Sequence, residues 1–196
     1  MLFIILHYII MSLTEILQYG NTQKTHQLLS KGKLTKKHLL KNDKDGKSLL
    51  HKVCLYGHDK IVKLLIDMLY LNNADIMMPD TYGNNCIHLI CNSMVDITHF
   101  SDQYCKILQL FIDKCQLKKE DMMIVNSAHY TALQYICTYN GCKINEILFD
   151  KMQLSKEDFI TSYDEQHIKS PLENACINNN LEVVKLIIET ICFSIK

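Results

Sequence analysis

The feature that most constrains this chain is a short sequence pattern that occurs four times. Each copy starts with a residue that favours a helix N-cap, continues as an apolar helical segment, and reaches a second apolar run after a turn. The four capping residues are Ser48, Asn85, Thr131 and Ser170. They follow one another at intervals of 37, 46 and 39 residues. Helix pairs repeated in this way stack side by side, so the pattern predicts a helical solenoid rather than one central core.

The spacing inside the copies is nearly constant. In three copies an apolar residue of the second run follows the third helical position by 13 residues, and the pairs are His51 and Leu64, Gln134 and Ile147, and Glu173 and Leu186. In the second copy the corresponding interval, from His88 to Leu110, is nine residues longer. This difference predicts an insertion between the two helices of that copy, in roughly residues 92–103.

Apolar residues at helical spacing define the predicted core of the stack. Four of the cysteines share one equivalent position, where a thiol suits a small buried site. The nine cysteines contain no C-x-x-C pair, so we expect neither zinc nor disulfides. The predicted core residues are Leu50, Val53, Cys54, Leu64, Ile87, Ile90, Cys91, Leu110, Leu133, Ile136, Cys137, Ile147, Leu172, Ala175, Cys176 and Leu186.

The first copy resembles a known repeat. Residues 45–67 read DGKSLLHKVCLYGHDKIVKLLID, which is similar to the ankyrin pattern D-G-x-T-P-L-H-x-A-A-x-x-G-H-x-x-V-V-x-L-L-L. The matching positions are Asp45, Gly46, Leu50, His51, Gly57, His58, Val62, Leu64 and Leu65. The resemblance implies an all-α, ankyrin-type helical solenoid of about four repeats, preceded by a degenerate N-terminal helix pair.

The repeats divide the chain into six expected segments. A degenerate capping repeat is expected at 12–40, followed by repeats at 41–77, 78–123, 124–160 and 161–196. Residues 1–11 are almost wholly apolar but fall short of the roughly 20 residues that span a bilayer. Three interpretations of them stay open: a spurious upstream start, a segment folding over the first repeat, or a weak membrane attachment.

A second pattern recurs between the repeats and accounts for their unusual length. It combines a capping residue, a polar pair and two apolar residues, which suits one extra turn of helix. Its charged residues are expected to form a solvated face. The copies are Lys33–Leu40, Gln116–Met123 and Gln153–Ile160, with a weaker relative at Tyr70–Met77.

The composition argues against several classes of function. Basic and acidic residues number 21 each, so the formal net charge is zero. All of the basic residues are lysines, and the chain therefore has no guanidinium forks for bidentate phosphate or guanine contacts. We expect no nucleic-acid partner and no cofactor. The sequence contains no recognised catalytic motif and no glycine-rich phosphate loop, so we do not expect an enzyme.

The resemblance also implies where a partner would bind. Ankyrin solenoids present a concave face of turn tips and first helices, on which side chains between the pattern positions are free to contact a protein. Tyrosines cluster at the centre of this strip, and tyrosine is enriched among interface anchors. The predicted partner-binding residues are Lys47, Lys52, Tyr56, Tyr82, Asn84, Leu89, His129, Tyr130, Tyr135, Tyr139, Lys169, Asn174 and Asn178.

Two further expectations concern the turns. His51 and His88 stand at the repeat position that bonds a neighbouring turn, and we expect that role rather than metal binding. Tyr130 and Ile168 are expected to take the turn position that glycine occupies in the two earlier copies. Because a bulky residue is costly at a positive φ, the third and fourth turns are expected to differ in shape from the first two.

Together these features favour a non-catalytic protein–protein interaction module that binds a partner on its concave face, in the cytoplasm of its own cell or of a host cell. Lysine-rich ankyrin proteins with this compositional bias are found in intracellular bacteria and large DNA viruses, and by analogy they imply a host-directed role. The alternative is a membrane-associated or assembling structural protein that uses the apolar residues 1–10 and the apolar C-terminal end. We favour a protein partner over a membrane.

Overall fold

The computed structural model describes residues 13–93, 101–138, 151–161 and 169–193. Within these ranges the chain is helical, and β pairing is limited to one isolated bridge. The main helices alternate between an inner layer, whose helices follow the capping residues, and an outer layer that packs behind it. The predicted all-α, ankyrin-type fold is confirmed.

We number the α-helices in chain order. They are α1 (Thr22–Ser30), α2 (Lys36–Leu39), α3 (Leu49–Leu55), α4 (Asp59–Leu69), α5 (Asn73–Ile76), α6 (Cys86–Ser93), α7 (Ser101–Cys115), α8 (Ala132–Thr138), α9 (Lys156–Ile160), α10 (Pro171–Ile177) and α11 (Leu181–Phe193). A 3-10 helix spans Lys119–Met123, and residues 13–18 are also helical. The inner helices α3, α6, α8 and α10 pack in succession. Behind them the outer helices α1, α4 and α7 do the same, and α11 packs on α10.

Each inner helix begins with the capping interaction that its sequence predicts. The capping side chain accepts the backbone N–H of the residue three positions on, at 3.3 Å for Ser48, 3.0 Å for Asn85, 3.1 Å for Thr131 and 3.2 Å for Ser170. In return, the backbone N–H of Thr131 donates to Gln134 Oε1 at 2.7 Å. These bonds satisfy donors that would otherwise be buried at the helix end without partners.

The third residue of α3, α6 and α8 also ties one repeat to the next. His51 Nε2 lies 2.8 Å from the carbonyl oxygen of Met78, and Gln134 Nε2 donates to that of Lys169 at 2.7 Å. His88 makes the equivalent contact with the following turn at 3.0 Å. Burial lowers the pKa of both histidine rings and so favours their neutral form. The expectation that the two histidines bond neighbouring turns is confirmed.

The core lies between the two layers and runs from the N-terminal helix pair to α11. On the inner helices it follows the prediction, and the residues that are buried as expected include Leu50, Val53, Ile87, Ile90, Leu133, Ile136 and Ala175. Full burial of a valine, leucine or isoleucine side chain contributes on the order of 1.5–3 kcal/mol, so these residues stabilise the stack substantially. Of the other predicted residues, Leu172 is half-buried and Ile147 lies outside the described residues.

On the outer helices the core prediction was wrong by one position. The residue that follows each predicted one is fully buried, while the predicted one is half-buried. The half-buried residues are Leu64, Leu110 and Leu186, and the buried ones are Leu65, Phe111 and Ile187. The apolar run is unbroken at this point, so spacing alone could not tell which residue points inward.

The aligned cysteines differ according to their place in the stack. Cys54, Cys91 and Cys137 are buried as predicted, but Cys176 is exposed, and that part of the prediction was wrong. Cys176 lies on α10, and in the described part of the chain no inner helix follows α10 to cover it. Burial raises the pKa of the Cys137 thiol. Among the seven cysteines whose side chains the structure describes, no two are joined by a disulfide.

The recurring spacers each form one short helix, as predicted: α2, α5, the 3-10 helix and α9. Their charges, however, do more than face solvent, because the first residue of each spacer helix bonds the third residue of the next. The rungs are Lys36–Asp75 at 2.6 Å, Asn73–Asp121 at 2.7 Å and Lys119–Asp158 at 3.0 Å. The same aspartates accept the N–H of their own helix cap at 2.8, 2.8 and 2.6 Å. We refer to these contacts as the spacer ladder.

The second repeat and the N-terminal end differ from the regular repeats. In the second repeat α6 and α7 are separated by residues 94–100, whereas three residues separate α3 from α4. The predicted insertion therefore falls largely outside the described residues. At the N-terminal end, Gly20 has a φ of 67° after the helical residues 13–18, which agrees with the predicted capping helix pair.

Candidate protein-binding surface

The turns that precede the inner helices share one construction. Asp43, Asp80 and Asn126 each stand five residues before a helix cap and use Oδ1 to accept two backbone N–H groups. These bonds are 2.9–3.0 Å long and hold each turn closed. Sequence reasoning did not assign this role, although an Asp or Asn five residues before three of the four caps is a usable signal.

The turns also stack on one another. Thr81 Oγ1 donates to the carbonyl oxygen of Asp45 at 2.7 Å, and the Ser127 N–H donates to that of Tyr82 at 2.9 Å. A Cβ on Gly46 would lie 2.6 Å from the backbone nitrogen of Thr81, so the approach of the next turn requires glycine there.

The stacked turns and the inner helices behind them form the candidate surface, which we call the turn face. It comprises residues 43–47, 80–84 and 126–130 together with the outward positions of α3, α6, α8 and α10.

The third turn keeps the same backbone without glycine. His129, not Tyr130, stands at the position of Gly46 and Gly83, and its φ of 62° is close to their 68° and 72°. The prediction that Tyr130 filled this position and changed the turn was therefore wrong. Histidine is among the residues that adopt the left-handed region more readily than most. Ile168, named for the fourth turn, lies outside the described residues.

An aromatic cluster lies at the junction of the third turn and α8. Tyr130 stacks on Tyr135 with ring centroids 5.4 Å apart and planes 23° from parallel, and Tyr135 meets His88 edge-on at 6.4 Å. The Tyr135 hydroxyl accepts a hydrogen bond from Asn126 Nδ2 at 3.1 Å, which helps to hold the ring. Tyr130 is 39% exposed, and on the neighbouring turn Tyr82 is 61% exposed. The turn face therefore presents large aromatic area on an ordered framework.

The other predicted contact residues differ in accessibility. Those that are at least partly exposed are Lys47, Lys52, Tyr56, Asn84, His129, Lys169 and Asn178. Leu89 and Asn174 are buried, so we leave them out of the turn face. Both occupy the fourth position of an inner helix. In α3 this position is held by Lys52, whose longer side chain reaches out of the stack, whereas the shorter side chains of Leu89 and Asn174 are covered. Tyr139 lies outside the described residues.

Asp43, Asp80 and Asn126 use Oδ1 in the same way, but the other polar atom of each side chain has a different environment in each turn. Asp43 Oδ2 pairs with Lys52 Nζ at 2.6 Å. Asn126, at the same position of the third turn, donates from Nδ2 to Asn84 Oδ1 at 2.8 Å. Asp80 is only 6% exposed, and among the described residues its Oδ2 has no hydrogen-bond partner. The three turns are thus alike in backbone and different in charge balance.

The turn face offers aromatic rings, amides and carboxylates, which are groups that bind protein side chains and backbone. Across the described ranges, no group of three or more His, Cys, Asp or Glu side chains is arranged to hold a metal ion. None of the helices in those ranges is long and apolar enough to span a bilayer.

Paired helices that stack in two layers, with hydrogen-bonded turns in front of the inner layer, define a helical repeat protein. Residues 45–78, which contain α3, α4 and α5, match the family model of the ankyrin repeat, and this match supports an ankyrin-repeat protein. A search of curated proteins found none that matches it. The ankyrin repeat is a protein–protein interaction module and is generally not enzymatic.

Proposed function

We propose that the protein binds a partner protein through its turn face, with Tyr82, Tyr130 and Tyr135 as the central anchors. The aromatic cluster carries the proposal, because Tyr130 is stacked at 5.4 Å on a ring that Asn126 holds, and yet remains accessible. An ordered tyrosine offers a large apolar area and a polar tip with few rotors left to freeze. Covering it therefore gains contact at low entropic cost.

The proposal includes a setting for the interaction. The composition, in which every basic residue is lysine, supports by analogy a cytoplasmic partner in a host cell, as for ankyrin proteins of intracellular bacteria and large viruses. In this role the chain acts without catalysis, by occupying a surface of its partner.

The test is a matched set of tyrosine variants of the full chain. Tyr82→Asn and Tyr130→Asn remove rings from the turn face, whereas Tyr70→Asn removes an exposed ring at the end of α4. Binders are selected with the wild-type chain from a displayed library of peptides and small domains, and calorimetry measures their affinity for each variant. Losing a central anchor is expected to weaken binding by roughly tenfold or more.

The controls separate binding from folding and from charge. Circular dichroism shows whether each variant keeps its helices, which matters because Tyr130 also packs on Tyr135. Changing the exposed Lys37 and Lys118 to serine should have little effect, because exposed charges typically contribute about 0–1 kcal/mol. Binders that tolerate both turn-face variants but respond to Tyr70→Asn or to the lysine changes would contradict the proposal.

A second candidate function is assembly through the apolar end of the stack. Ile177, Leu181 and Ile188, on α10 and α11, are all largely exposed, and monomeric proteins seldom leave large apolar patches uncovered. Residues 1–10, the other apolar segment of this interpretation, lie outside the described residues. If assembly is the function, serine at Leu181 and Ile188 should lower the mass measured by sedimentation. A wild-type chain that sediments as a monomer excludes it.

A further inference from the structure

Asp80 is the exception among the turn residues. Its Oδ1 accepts two backbone N–H groups at 2.9 Å, while its Oδ2 is buried with no partner in the described structure. A buried carboxylate oxygen without a donor costs free energy, and folded proteins pair nearly all such groups. We propose that Asp80 receives an arginine side chain of the partner protein. This inference rests on the turn face being the binding surface and specifies the chemistry of the partner.

The preceding repeat shows how a cation reaches this position. Lys52 is the fourth residue of α3, and its Nζ contacts Asp43 Oδ2 while Asp43 Oδ1 closes the turn. Leu89 is the fourth residue of α6 and therefore stands in the place of Lys52 relative to Asp80. A leucine provides neither charge nor hydrogen bond. The second repeat thus has the carboxylate of the pair without the cation.

The nearest titratable side chains do not neutralise Asp80. Burial lowers the pKa of His51 and His88, and this effect outweighs the opposite influence of the Asp80 charge on both rings. Both histidines therefore stay neutral near pH 7. Lys47 is close enough to influence His51, but within the described residues it makes no ion pair with Asp80.

The turn itself does not require the negative charge. In the third repeat Asn126 makes the same two backbone bonds, at 3.0 and 2.9 Å, with an uncharged side chain. An asparagine at position 80 would close the second turn equally well. The charge of Asp80 is therefore available for a role other than folding.

The surroundings favour arginine over lysine. Tyr82 donates its N–H to Asp80 Oδ1 at 2.9 Å, so an exposed aromatic ring belongs to the same turn as the carboxylate. A guanidinium can pair with a carboxylate and stack on an aromatic ring together, whereas an ammonium is a compact, strongly hydrated charge. Leu89 stands at the helix position from which Lys52 approaches its own aspartate, so the guanidinium is proposed to approach Asp80 past this residue.

The experiment titrates N-acetyl-arginine methylamide into the isotope-labelled full chain and follows backbone amide shifts, with the lysine analogue for comparison. Asp80→Asn removes the charge and keeps the turn, and Leu89→Lys supplies a cation from within the chain. Asp43→Asn is the matched control, because the partner of Asp43 is the chain's own Lys52. We expect saturable shifts at Tyr82 and Asn84 and an affinity that falls by about tenfold or more in Asp80→Asn and Leu89→Lys, the range of a charged hydrogen bond. Asp43→Asn should bind as the wild type does.

Two results would overturn the inference: no saturable shift in the wild-type chain, or equal affinity in Asp80→Asn. If Leu89→Lys fails to fold, the comparison of Asp80→Asn with Asp43→Asn still decides. The two proposals can be told apart with the selected binders. Binders that depend on Tyr82 and Tyr130 but tolerate Asp80→Asn would support the turn face and exclude the arginine contact.

Discussion

The first repeat and the last helix pair place equivalent residues in different surroundings. Cys54 is buried and Cys176 is exposed. On the outer helices, Ile66 is 5% exposed and Ile188, its equivalent, is 52% exposed. The helices α6 and α7 pack on the first repeat, whereas no helix of the described chain follows α10 and α11. Burial in a repeat stack is therefore decided by the next repeat as much as by the residue itself.

The largest expected effect tests this difference directly. Ile66→Ala should lower the free energy of unfolding by about 3 kcal/mol, because it leaves a cavity in the packed core. Ile188→Ala should cost less than about 1 kcal/mol, because an exposed side chain has fewer contacts to lose. Urea denaturation of the two variants gives both values. Equal losses would show that α11 is covered in solution. The difference in burial between the first repeat and the last helix pair would then not hold.

The spacer ladder allows a similar comparison, between a buried aspartate of the ladder and an aspartate in an exposed ion pair. Asp75→Ala removes both the pair with Lys36 and a bond to its own helix cap, and should cost about 1–2 kcal/mol. Asp113→Ala removes an ion pair with Lys151 in which both side chains are exposed, and should cost about 0–1 kcal/mol. Thermal denaturation ranks the two variants. A greater loss for Asp113→Ala would mean that the ladder does not couple the repeats.

The smallest effect concerns the third position of the inner helices, where His51 and Gln134 each bond a backbone carbonyl oxygen of the next repeat. Burial lowers the pKa of His51 below its ordinary value of 6.5. As the pH falls below that value, the unfolded chain takes up a proton that the folded ring does not, so stability is lost between 6.5 and the lower folded pKa. His51→Gln should keep the bond to Met78 and lose this part of the pH dependence. Urea midpoints at about pH 7.5 and about pH 5.5 measure the change, and an unaltered slope would contradict the assignment.

Interactions within a repeat could be predicted because they depend on residues a few positions apart. The cap of Ser48 follows from its repeat position. The bond from His51 to the next turn lies between repeats, and it was predicted from the resemblance to the ankyrin pattern. Contacts between repeats could not be predicted in the same way. The rung between Lys36 and Asp75 joins two spacers that each look like a solvated surface, and only the stacking distance makes them partners.

The candidate surface could be predicted in part for the same reason. Repeat alignment placed Tyr82 and Tyr130 on the turn face, where both are accessible. It also contained the information that His129 rather than Tyr130 fills the glycine position, because His129, like Gly46 and Gly83, stands two residues before its helix cap. It could not show that Leu89 is covered, because the exposure of Leu89 depends on the repeats that pack around it.

The left-handed backbone at His129 has a consequence for how such chains are recognised by homology. Two of the turns place glycine at this position and the third builds the same conformation from histidine. Geometry is thus retained while the amino acid changes, and the family model matches residues 45–78, a copy that still has the glycine. A comparison of sequences and a comparison of backbone geometry can therefore recognise different numbers of repeats in the same stack.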